Sequence, residues 1–272
     1  MMESIIAKYK PISLEEMSGI KLMNRIDTKF VTSVPRLLLL LKMARDSYRV
    51  QETGGLRVIP YSTLYFDTSD LQMYTTHHNG ILPRQKVRVR SYVASHLDFL
   101  EVKTKNNHRR TRKKRIGLET YDASKVSLHP STAEPGVGDF LSQRLDVPAA
   151  SLVPQLENSF NRITLVNNDR TERLTIDTSL RFHNRTSGCD CDLTGLAIIE
   201  LKRDGRAHSP VLEMLRQLRI KPQGFSKYCM GTAFTRPDAK TNRLKLRMRL
   251  VERLLKNDSV KQEKIKNKIW IT

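Results

Sequence analysis

Three cations recur at every second position of one strand-like segment, Lys86-Val87-Arg88-Val89-Arg90. Successive side chains of a β-strand point to opposite faces, so Lys86, Arg88 and Arg90 share one face and the valines take the other. Guanidinium groups bind phosphate oxygens in a bidentate geometry, and such a face therefore suits the binding and neutralisation of phosphates. A solvated strand face above a valine core would give the same pattern.

Three further strand-like segments repeat this alternation, with cations and a few carboxylates on the polar face. Those faces hold Glu101, Lys103 and Lys105; Arg173, Thr175 and Asp177; and Glu200 and Lys202. If the polar faces point inwards, the strands surround a wet, charged interior and helices cover their apolar faces. Because unpaired buried charges are strongly disfavoured, such an interior requires an anionic occupant. A chain of phosphates meets that requirement.

The overall charge also favours an anionic partner. The 272 residues include 48 Lys and Arg against 28 Asp and Glu, a formal net charge of +20. Nucleic acid, a phosphorylated metabolite, polyphosphate and an acidic membrane surface are all compatible with this charge. Only 6% of the residues are aromatic, and binders of single strands stack bases on exposed rings. We therefore expect a ligand made of phosphates and no sequence-specific nucleic acid.

Cysteine content and hydropathy predict the compartment. Cys189, Cys191 and Cys229 are too few for a disulfide framework and their spacing is a poor match to a zinc site. The longest apolar run covers residues 37–41, whereas a bilayer span needs about 20 residues. Residues 1–11 lack the apolar core of a signal peptide. We expect reduced thiols, no transmembrane segment and a cytoplasmic location.

Turn and cap signals predict the elements that position these faces. Strands are predicted at residues 24–31, 48–53, 63–67, 86–92, 98–105, 160–166, 171–176 and 195–202. Helices are predicted at residues 11–23, 34–46, 69–80 and 209–219, and a short helix or turn is predicted behind Ser226. Residues 106–115 and 189–192 are predicted to be loops, and residues 121–154 a helical insertion.

In chain order these segments resemble the VTC domain, the polyphosphate polymerase branch of the triphosphate tunnel metalloenzymes. The resemblance covers about residues 20–235 and rests on eight short motifs. They are Thr28-Lys29-Phe30, Tyr65-Phe66-Asp67-Thr68, Lys86-Val87-Arg88-Val89-Arg90, Glu101-Val102-Lys103, Ser159-Phe160-Asn161-Arg162, Arg173-Leu174-Thr175-Ile176-Asp177-Thr178, Glu200-Leu201-Lys202 and Ser226-Lys227-Tyr228. Each motif alone is weak, but their order along the chain is specific.

The resemblance implies an ATP-dependent polyphosphate polymerase, which transfers the γ-phosphate of ATP to a growing polyphosphate chain. It implies a divalent metal ion, Mn²⁺ or Mg²⁺, with Glu200 as the metal ligand. The residues that it implies for catalysis are Arg88, Arg90, Lys103 and Lys227. The residues for substrate binding are Lys29, Lys86, Lys114, Arg162, Arg173, Lys202 and Ser226. Phosphoryl transfer needs positioning and charge neutralisation, so no protein nucleophile is required.

The predicted fold is α+β, an antiparallel β-barrel tunnel with flanking helices. Residues 1–235 are expected to form this polymerase-type tunnel domain. Residues 236–272 carry 12 Lys or Arg against four Asp or Glu, and we expect a basic, amphipathic helical tail. Such a tail suits peripheral contact with an anionic membrane, with nucleic acid or with a neighbouring subunit, and the sequence does not choose among them.

Two other functions stay open at this point. A tunnel-fold triphosphatase or cyclase is expected to carry more carboxylates on its first and last strands than this chain, whose first strand reads Arg25-x-Asp27-x-Lys29. A non-catalytic polyphosphate-binding module would lose affinity at high salt and would show no turnover. Individual residues also have structural alternatives: Glu200 could pair with Lys202 or Arg173.

Overall fold

The computed structural model describes residues 1–18, 25–108, 110–124, 126, 128, 133–205 and 207–256. Predictions that concern Arg109, residues 19–24 or residues 257–272 lie outside this part of the chain. Within it, no helix is long and apolar enough to cross a membrane.

Long strands and mostly short helices alternate along the described chain. The helices are α1 (Met2–Ile6), α2 (Leu14–Ser18), α3 (Val34–Ala44), α4 (Gln72–Asn79), α5 (Val137–Ser142), α6 (Pro210–Gln217) and α7 (Lys227–Thr235), and residues 245–256 are also helical. The strands are β1 (Lys10–Ser13), β2 (Arg25–Ser33), β3 (Tyr48–Glu52), β4 (Ile59–Thr68), β5 (Arg84–Tyr92), β6 (Leu97–Lys105), β7 (Thr111–Leu118), β8 (Leu152–Asn167), β9 (Glu172–Asn184), β10 (Asp190–Leu193) and β11 (Leu196–Asp204).

All the strands belong to one sheet with the main order β2-β11-β9-β8-β4-β5-β6-β7, antiparallel at every step. β3 joins β8 and carries β1 in parallel, and β10 pairs with β9. Among the described residues no ladder joins β2 to β7, so the sheet curls into a tunnel-like shape with an open seam. The prediction of an α+β fold with an antiparallel tunnel and flanking helices is confirmed.

Helices cover the apolar face of the sheet in three clusters. Under α3 and α6 the cluster includes Leu37, Leu41, Ile176, Ile199 and Val211. Under α7 it includes Leu156, Phe182, Met230, Leu244 and Val251. Around β5 and β6 it includes Val87, Val89, Leu100, Val137 and Leu141. The chain therefore continues to pack on the sheet beyond residue 235, at least to Val251.

β5 decides which way the charged faces point. Val87 and Val89 are 0% exposed in the helix-covered core, so Arg88 and Arg90 must point to the inner side of the sheet. Both arginines are nevertheless only 8% exposed. The charged face of β5 therefore points inwards, and the burial of its arginines excludes the alternative of a solvated outer face.

β7 corrects the prediction of a loop over residues 106–115. Residues 111–118 pair with β6 along the whole of β7. The sequence hid this strand because residues 112–115 are all cations, which places charge on both faces and removes the alternation. β7 lies at the end of the main strand order, where a charged edge strand is stable because one face meets solvent.

Two other segments also differ from their predictions. Residues 190–193, predicted as part of a loop, form β10 against β9. Residues 121–154, predicted as a helical insertion, contain α5 and one turn of 3₁₀ helix at Ala149–Ser151 in their described part. A capping box begins α2: Ser13 N donates to Glu16 Oε2 at 2.9 Å, and Glu16 N donates to Ser13 Oγ at 3.1 Å.

The buried carboxylate of Asp67 links β4 to α4 and α7. Its Oδ1 accepts hydrogen bonds from the backbone N of Thr68 and of Met73, both at 2.8 Å. Its Oδ2 accepts from Tyr74 N at 2.8 Å and from the Tyr228 hydroxyl at 2.5 Å. Burial raises the pKa of Asp67, although these hydrogen bonds oppose the shift. Asp67 therefore fixes the start of α7 relative to the sheet.

Candidate functional site

A cavity of about 910 Å³ lies on the inner face of the curled sheet. Among the described residues, eleven Lys and Arg side chains line it, against two carboxylates, Asp177 and Glu200. The cations are Lys29, Lys86, Arg88, Arg90, Lys103, Lys113, Arg115, Arg162, Arg173, Lys202 and Lys227. Low-dielectric walls of one sign concentrate the field in such a cleft, so an anionic ligand is the kind that this cavity stabilises.

Strand pairing arranges many of these cations in rows across β5, β6 and β7. One row is Lys86, Lys103 and Lys113, and the next is Arg88, Glu101 and Arg115. Directly paired residues share a face of the sheet, so both rows face the cavity. Each row runs across the three strands and the two rows lie two residues apart along them, so together they place a patch of fixed charge on this face of the sheet.

The structure does not bring Lys114 to the cavity. Lys114 pairs with Val102, points to the face opposite to Lys113, and is exposed. Lys113 and Arg115 line the cavity instead, and the sequence analysis missed both as site residues. A strand assignment for residues 111–118 would have selected them, because it places Lys113 directly opposite Lys103.

Glu101 holds two of the cations in place. Arg88 donates to Glu101 Oε2 through Nε at 2.8 Å and Nη2 at 2.6 Å, and Lys113 Nζ lies 2.5 Å from Oε1. Burial alone would raise the pKa of this fully buried carboxyl, but Arg88, Arg90 and Lys113 hold it well below its usual value. Glu101 thus stays ionised and orients Arg88 and Lys113.

Asp177, on β9, likewise holds two cations in place. Arg162 binds it through Nε–Oδ1 at 2.6 Å and Nη2–Oδ2 at 2.8 Å, and Lys227 donates to Oδ2. Burial opposes ionisation of Asp177, yet Arg162 and Lys227 keep its pKa far below the usual range. Lys227 reaches Asp177 because Gly231 lets α7 approach β9 closely. A Cβ atom at position 231 would lie 2.5 Å from the Phe182 side chain.

Arg90 and Lys103 differ from these cations because neither has an ion pair or hydrogen bond to another described residue. The buried Nε of Arg90 has no acceptor, and its guanidinium lies 5.7 Å from the centre of the Tyr61 ring. Burial, with the neighbouring cations, lowers the pKa of Arg90 to about 10 and that of Lys103 to about 6. Their donors remain available to a ligand.

Glu200 is the carboxylate with the loosest contacts in the cavity. Its Oε1 lies 3.9 Å from Lys29 Nζ and its Oε2 lies 3.7 Å from Lys202 Nζ, both beyond hydrogen-bond range. Burial raises its pKa, but Lys29 and Lys202 outweigh this effect and lower it. Glu200 is therefore ionised and has lone pairs to offer a metal ion.

The donor set fits a metal ion that arrives with phosphates. The described residues contain no group of three or more His, Cys, Asp or Glu arranged to hold a metal, so a cage made by the protein alone does not fit. Mg²⁺ and similar ions commonly use one or two carboxylates together with substrate phosphates. Glu200 can supply the single carboxylate that such a metal ion needs.

Two of the predicted lysines, Lys86 and Lys29, contact the residues at the start of α7. Lys86 Nζ donates to Ser226 Oγ at 3.0 Å, and Ser226 caps α7 by accepting from Cys229 N at 3.3 Å. Lys29 Nζ donates to the carbonyl of Phe225 at 3.2 Å. The start of α7 therefore contributes both a hydroxyl and a lysine to the cavity.

Comparison with known proteins gives the family. The sequence model of the VTC domain matches residues 24–236. The chain belongs to the VTC domain family. No curated protein matches it.

Solved structures with similar folds were also found. A putative adenylate cyclase from Bacillus halodurans is 18% identical over 75% of this chain and 96% of its own, with a TM-score of 0.49. The putative adenylyl cyclase HpAC1 from Hippeastrum, described as having a dominant triphosphatase activity, is 16% identical over 78% of this chain and 96% of its own, with a TM-score of 0.48.

Within this VTC domain, eleven of the twelve predicted site residues line one cavity, and Lys114 is the exception. Their roles as catalytic, substrate-binding or metal-binding residues stay predictions. Two signals from the sequence were not used for the site: Asp177 and Glu101 both lie on the charged strand faces, and each proves to be the carboxylate that orients two cations.

Anion binding to this VTC domain should be accompanied by proton uptake. Burial lowers the pKa of Lys103 to about 6, that of Lys227 to about 7 and that of Lys86 to about 8. A bound phosphate raises these pKa values, so affinity for tripolyphosphate should fall as the pH rises from about 6 to about 8. Calorimetric titrations in buffers of different ionisation enthalpy measure the uptake directly.

The matched variants are Lys103→Met and Lys114→Met, one inside the cavity and one outside it. Lys103→Met should take up fewer protons than the wild type, and Lys114→Met should match the wild type. Equal uptake by all three proteins would contradict the assignment of a neutral Lys103 in the free protein.

Proposed function

We propose that this VTC domain is an ATP-dependent polyphosphate polymerase, which transfers the γ-phosphate of ATP to a polyphosphate chain in the cavity. One observation carries the proposal: among the described residues, eleven Lys and Arg side chains line the inner face of the sheet, and the buried Nε of Arg90 has no acceptor. Buried cations of this kind are costly without an anion, and a row of them matches a row of phosphates.

The cavity residues suit phosphoryl transfer without a protein nucleophile. The terminal oxygen of the polyphosphate chain would attack the γ-phosphorus, the bond to the β,γ-bridging oxygen would break, and ADP would leave. Arg88 and Arg162 are already oriented by Glu101 and Asp177, so they can neutralise phosphate oxygens with little reorganisation. Arg90 and Lys103 would bind the oxygens on which charge develops.

A divalent metal ion, Mn²⁺ or Mg²⁺, is part of this proposal, with Glu200 as the protein ligand. The metal would supply further neutralisation of the phosphate charge. A cytoplasmic location is also proposed, and the free thiols of Cys189, Cys191 and Cys229 support a reducing compartment. Contact of the basic C-terminal segment with a membrane or a subunit stays a prediction.

The test is incubation with ATP and Mn²⁺, with and without a short polyphosphate primer, followed by assays of long-chain polyphosphate and free phosphate. The wild type should make polymer and ADP, and Glu200→Gln or removal of the metal with EDTA should abolish it. Lys113→Met should lose about tenfold or more in rate, since it removes one charged contact, whereas Lys114→Met should keep the wild-type rate.

Other results of this incubation would indicate other functions. Free phosphate without polymer would identify a triphosphatase. Retained polyphosphate binding without turnover would leave a binding module. Equal rates for Lys113→Met and Lys114→Met would contradict the placement of the reaction in this cavity.

A further inference from the structure

A second, smaller cavity of about 280 Å³ lies beyond the Lys86 end of the main cavity. Its lining includes His77, Arg84, Ser226, Cys229, Arg243 and Arg247. Ser226 lines both cavities, and its hydroxyl accepts the hydrogen bond from Lys86. The two cavities are therefore neighbours that share the start of α7.

β5 continues its row of cations from the main cavity to the second one. Arg84, Lys86, Arg88 and Arg90 occupy alternate positions of β5, so they share the inner face. Arg84 pairs with Lys105 at the end of the β5–β6 ladder and lines the second cavity. A linear polyanion bound along this row meets Arg84 immediately after Lys86.

The second cavity holds positive charge without an anion. None of its described lining residues is a carboxylate. Arg84 and Arg247 have no ion pair or hydrogen bond to another described residue, whereas Arg243 donates to the Asn79 carbonyl at 2.5 Å. The buried Nδ1 of His77 also lacks a partner among the described residues.

The electrostatic state of His77 agrees with this description. Burial, followed by the charges of Lys86, Arg84 and Arg247, lowers the pKa of His77 to about 2. The imidazole is therefore neutral and keeps one N–H donor. A neutral donor among unpaired guanidinium groups suits an oxygen-rich anion better than a water-filled void.

We propose that this second cavity is a phosphate-binding site, which binds the polyphosphate chain where it leaves the Lys86 end of the main cavity. That the ligand is polyphosphate rests on the proposed function; the binding chemistry, guanidinium groups on phosphate oxygens, does not depend on turnover. Arg243 and Arg247 lie beyond residues 24–236, so the match to the VTC domain does not cover these two members of the site.

The chain itself provides a matched pair of variants. Arg247 and Arg249 are both exposed and both belong to helical residues 245–256, but only Arg247 lines the second cavity. Arg247→Glu and Arg249→Glu change the net charge equally on the same helix. Any difference between them reports the cavity rather than the overall charge.

The experiment is calorimetric titration of the wild type and both variants with tripolyphosphate and with long-chain polyphosphate at several salt concentrations. Arg247→Glu should weaken long-chain binding by about tenfold, as expected for a lost charged contact. It should also lower the slope of log affinity against log salt by about one. We expect tripolyphosphate to bind in the main cavity, so it should bind all three proteins alike, and Arg249→Glu should behave as the wild type.

Equal long-chain affinity in Arg247→Glu and Arg249→Glu would overturn the proposal, as would an equal loss for short and long ligands in Arg247→Glu. Arg84→Met makes the same test at a residue of the sheet. It should also weaken the binding of long-chain polyphosphate and leave the binding of tripolyphosphate unchanged. Because the titrations need no turnover, a wild type that makes no polymer from ATP would refute the polymerase and leave this result standing. Binding of orthophosphate as tightly as the long chain would identify free phosphate as the ligand and overturn the chain site.

Discussion

Replacing Arg90 with methionine should raise the Tm of the free protein and remove most of its polyphosphate synthesis. Arg90 is buried, and its guanidinium has no ion pair or hydrogen bond within the described chain. Methionine fills similar space without the cost of desolvating a charge, so we expect a gain of about 1–2 kcal/mol. The lost contact with the Tyr61 ring offsets about 0.5–1 kcal/mol of it.

The expected loss of synthesis is large because Arg90 would bind charge that develops during transfer. Removal of one such donor costs about 10²–10³ in rate in other enzymes. The measurements are a thermal melt with and without tripolyphosphate, and the polymer assay. The ligand should stabilise the wild type more than Arg90→Met.

Arg88→Met is the matched control, two residues along the same strand and the same face. Arg88 is paired with Glu101, and its loss leaves this buried carboxylate with Lys113 as its one ion-pair partner among the described residues. The variant should therefore be destabilised, by about 3–5 kcal/mol, while also losing synthesis. If both variants were destabilised equally, Arg90 would have a structural partner and the present account of it would be wrong.

The second large effect is expected at Asp177. Asp177→Asn leaves Arg162 and Lys227, whose side chains are only 18% and 11% exposed, without their counter-charge, which should destabilise the free protein by about 3–5 kcal/mol. Tripolyphosphate should stabilise this variant more than the wild type, because phosphate oxygens supply the missing negative charge. Urea unfolding with and without the ligand measures both effects.

The destabilisation caused by Asp177→Asn should depend on pH, because the pKa of Asp177 is lowered in the folded protein. A carboxyl whose pKa is lower in the folded state contributes stability above its unfolded pKa, which is about 3.9, and loses it as the pH falls towards the folded pKa. The difference in unfolding free energy between the wild type and Asp177→Asn should therefore narrow as the pH falls below about 4.

Asp192→Asn provides the same chemical change in an exposed ion pair. Asp192 Oδ2 lies 3.4 Å from Arg181 Nε with both side chains more than half exposed, and exposed pairs contribute little to stability. This variant should unfold as the wild type does. An equally small effect at Asp177 would mean that solvent or another group compensates Arg162 and Lys227.

The charged strand faces could be predicted from the sequence, but not every residue that lines the cavity. Alternation alone identified Lys86, Arg88 and Arg90, because Val87 and Val89 define the buried side. It failed at residues 112–115, where charge occupies both faces. Those residues were predicted as a loop, which assigns no face to a side chain, and the predicted substrate-binding residue was Lys114, whereas Lys113 lines the cavity.

Long-range pairing accounts for what the sequence could not predict. Asp177 orients Arg162 and Lys227, which lie 15 and 50 residues away in the chain. The second cavity joins Arg84 of β5 to Arg247, far along the sequence. Buried Leu244 and Val251 place the segment after residue 236 on the sheet, whereas its sequence predicted a basic amphipathic helix but not the surface that the helix covers.

The hydrogen bond between Asp67 and Tyr228 has a consequence for how sequences of this family diverge. Residues 65–68 and 226–228 look like two independent motifs, but they are one structural unit, because the Tyr228 hydroxyl has a buried carboxylate as its acceptor. A substitution at either position removes the reason to keep the other. Homologous chains should therefore change the two positions together, and where both have changed, the lysine that precedes the tyrosine needs a different support.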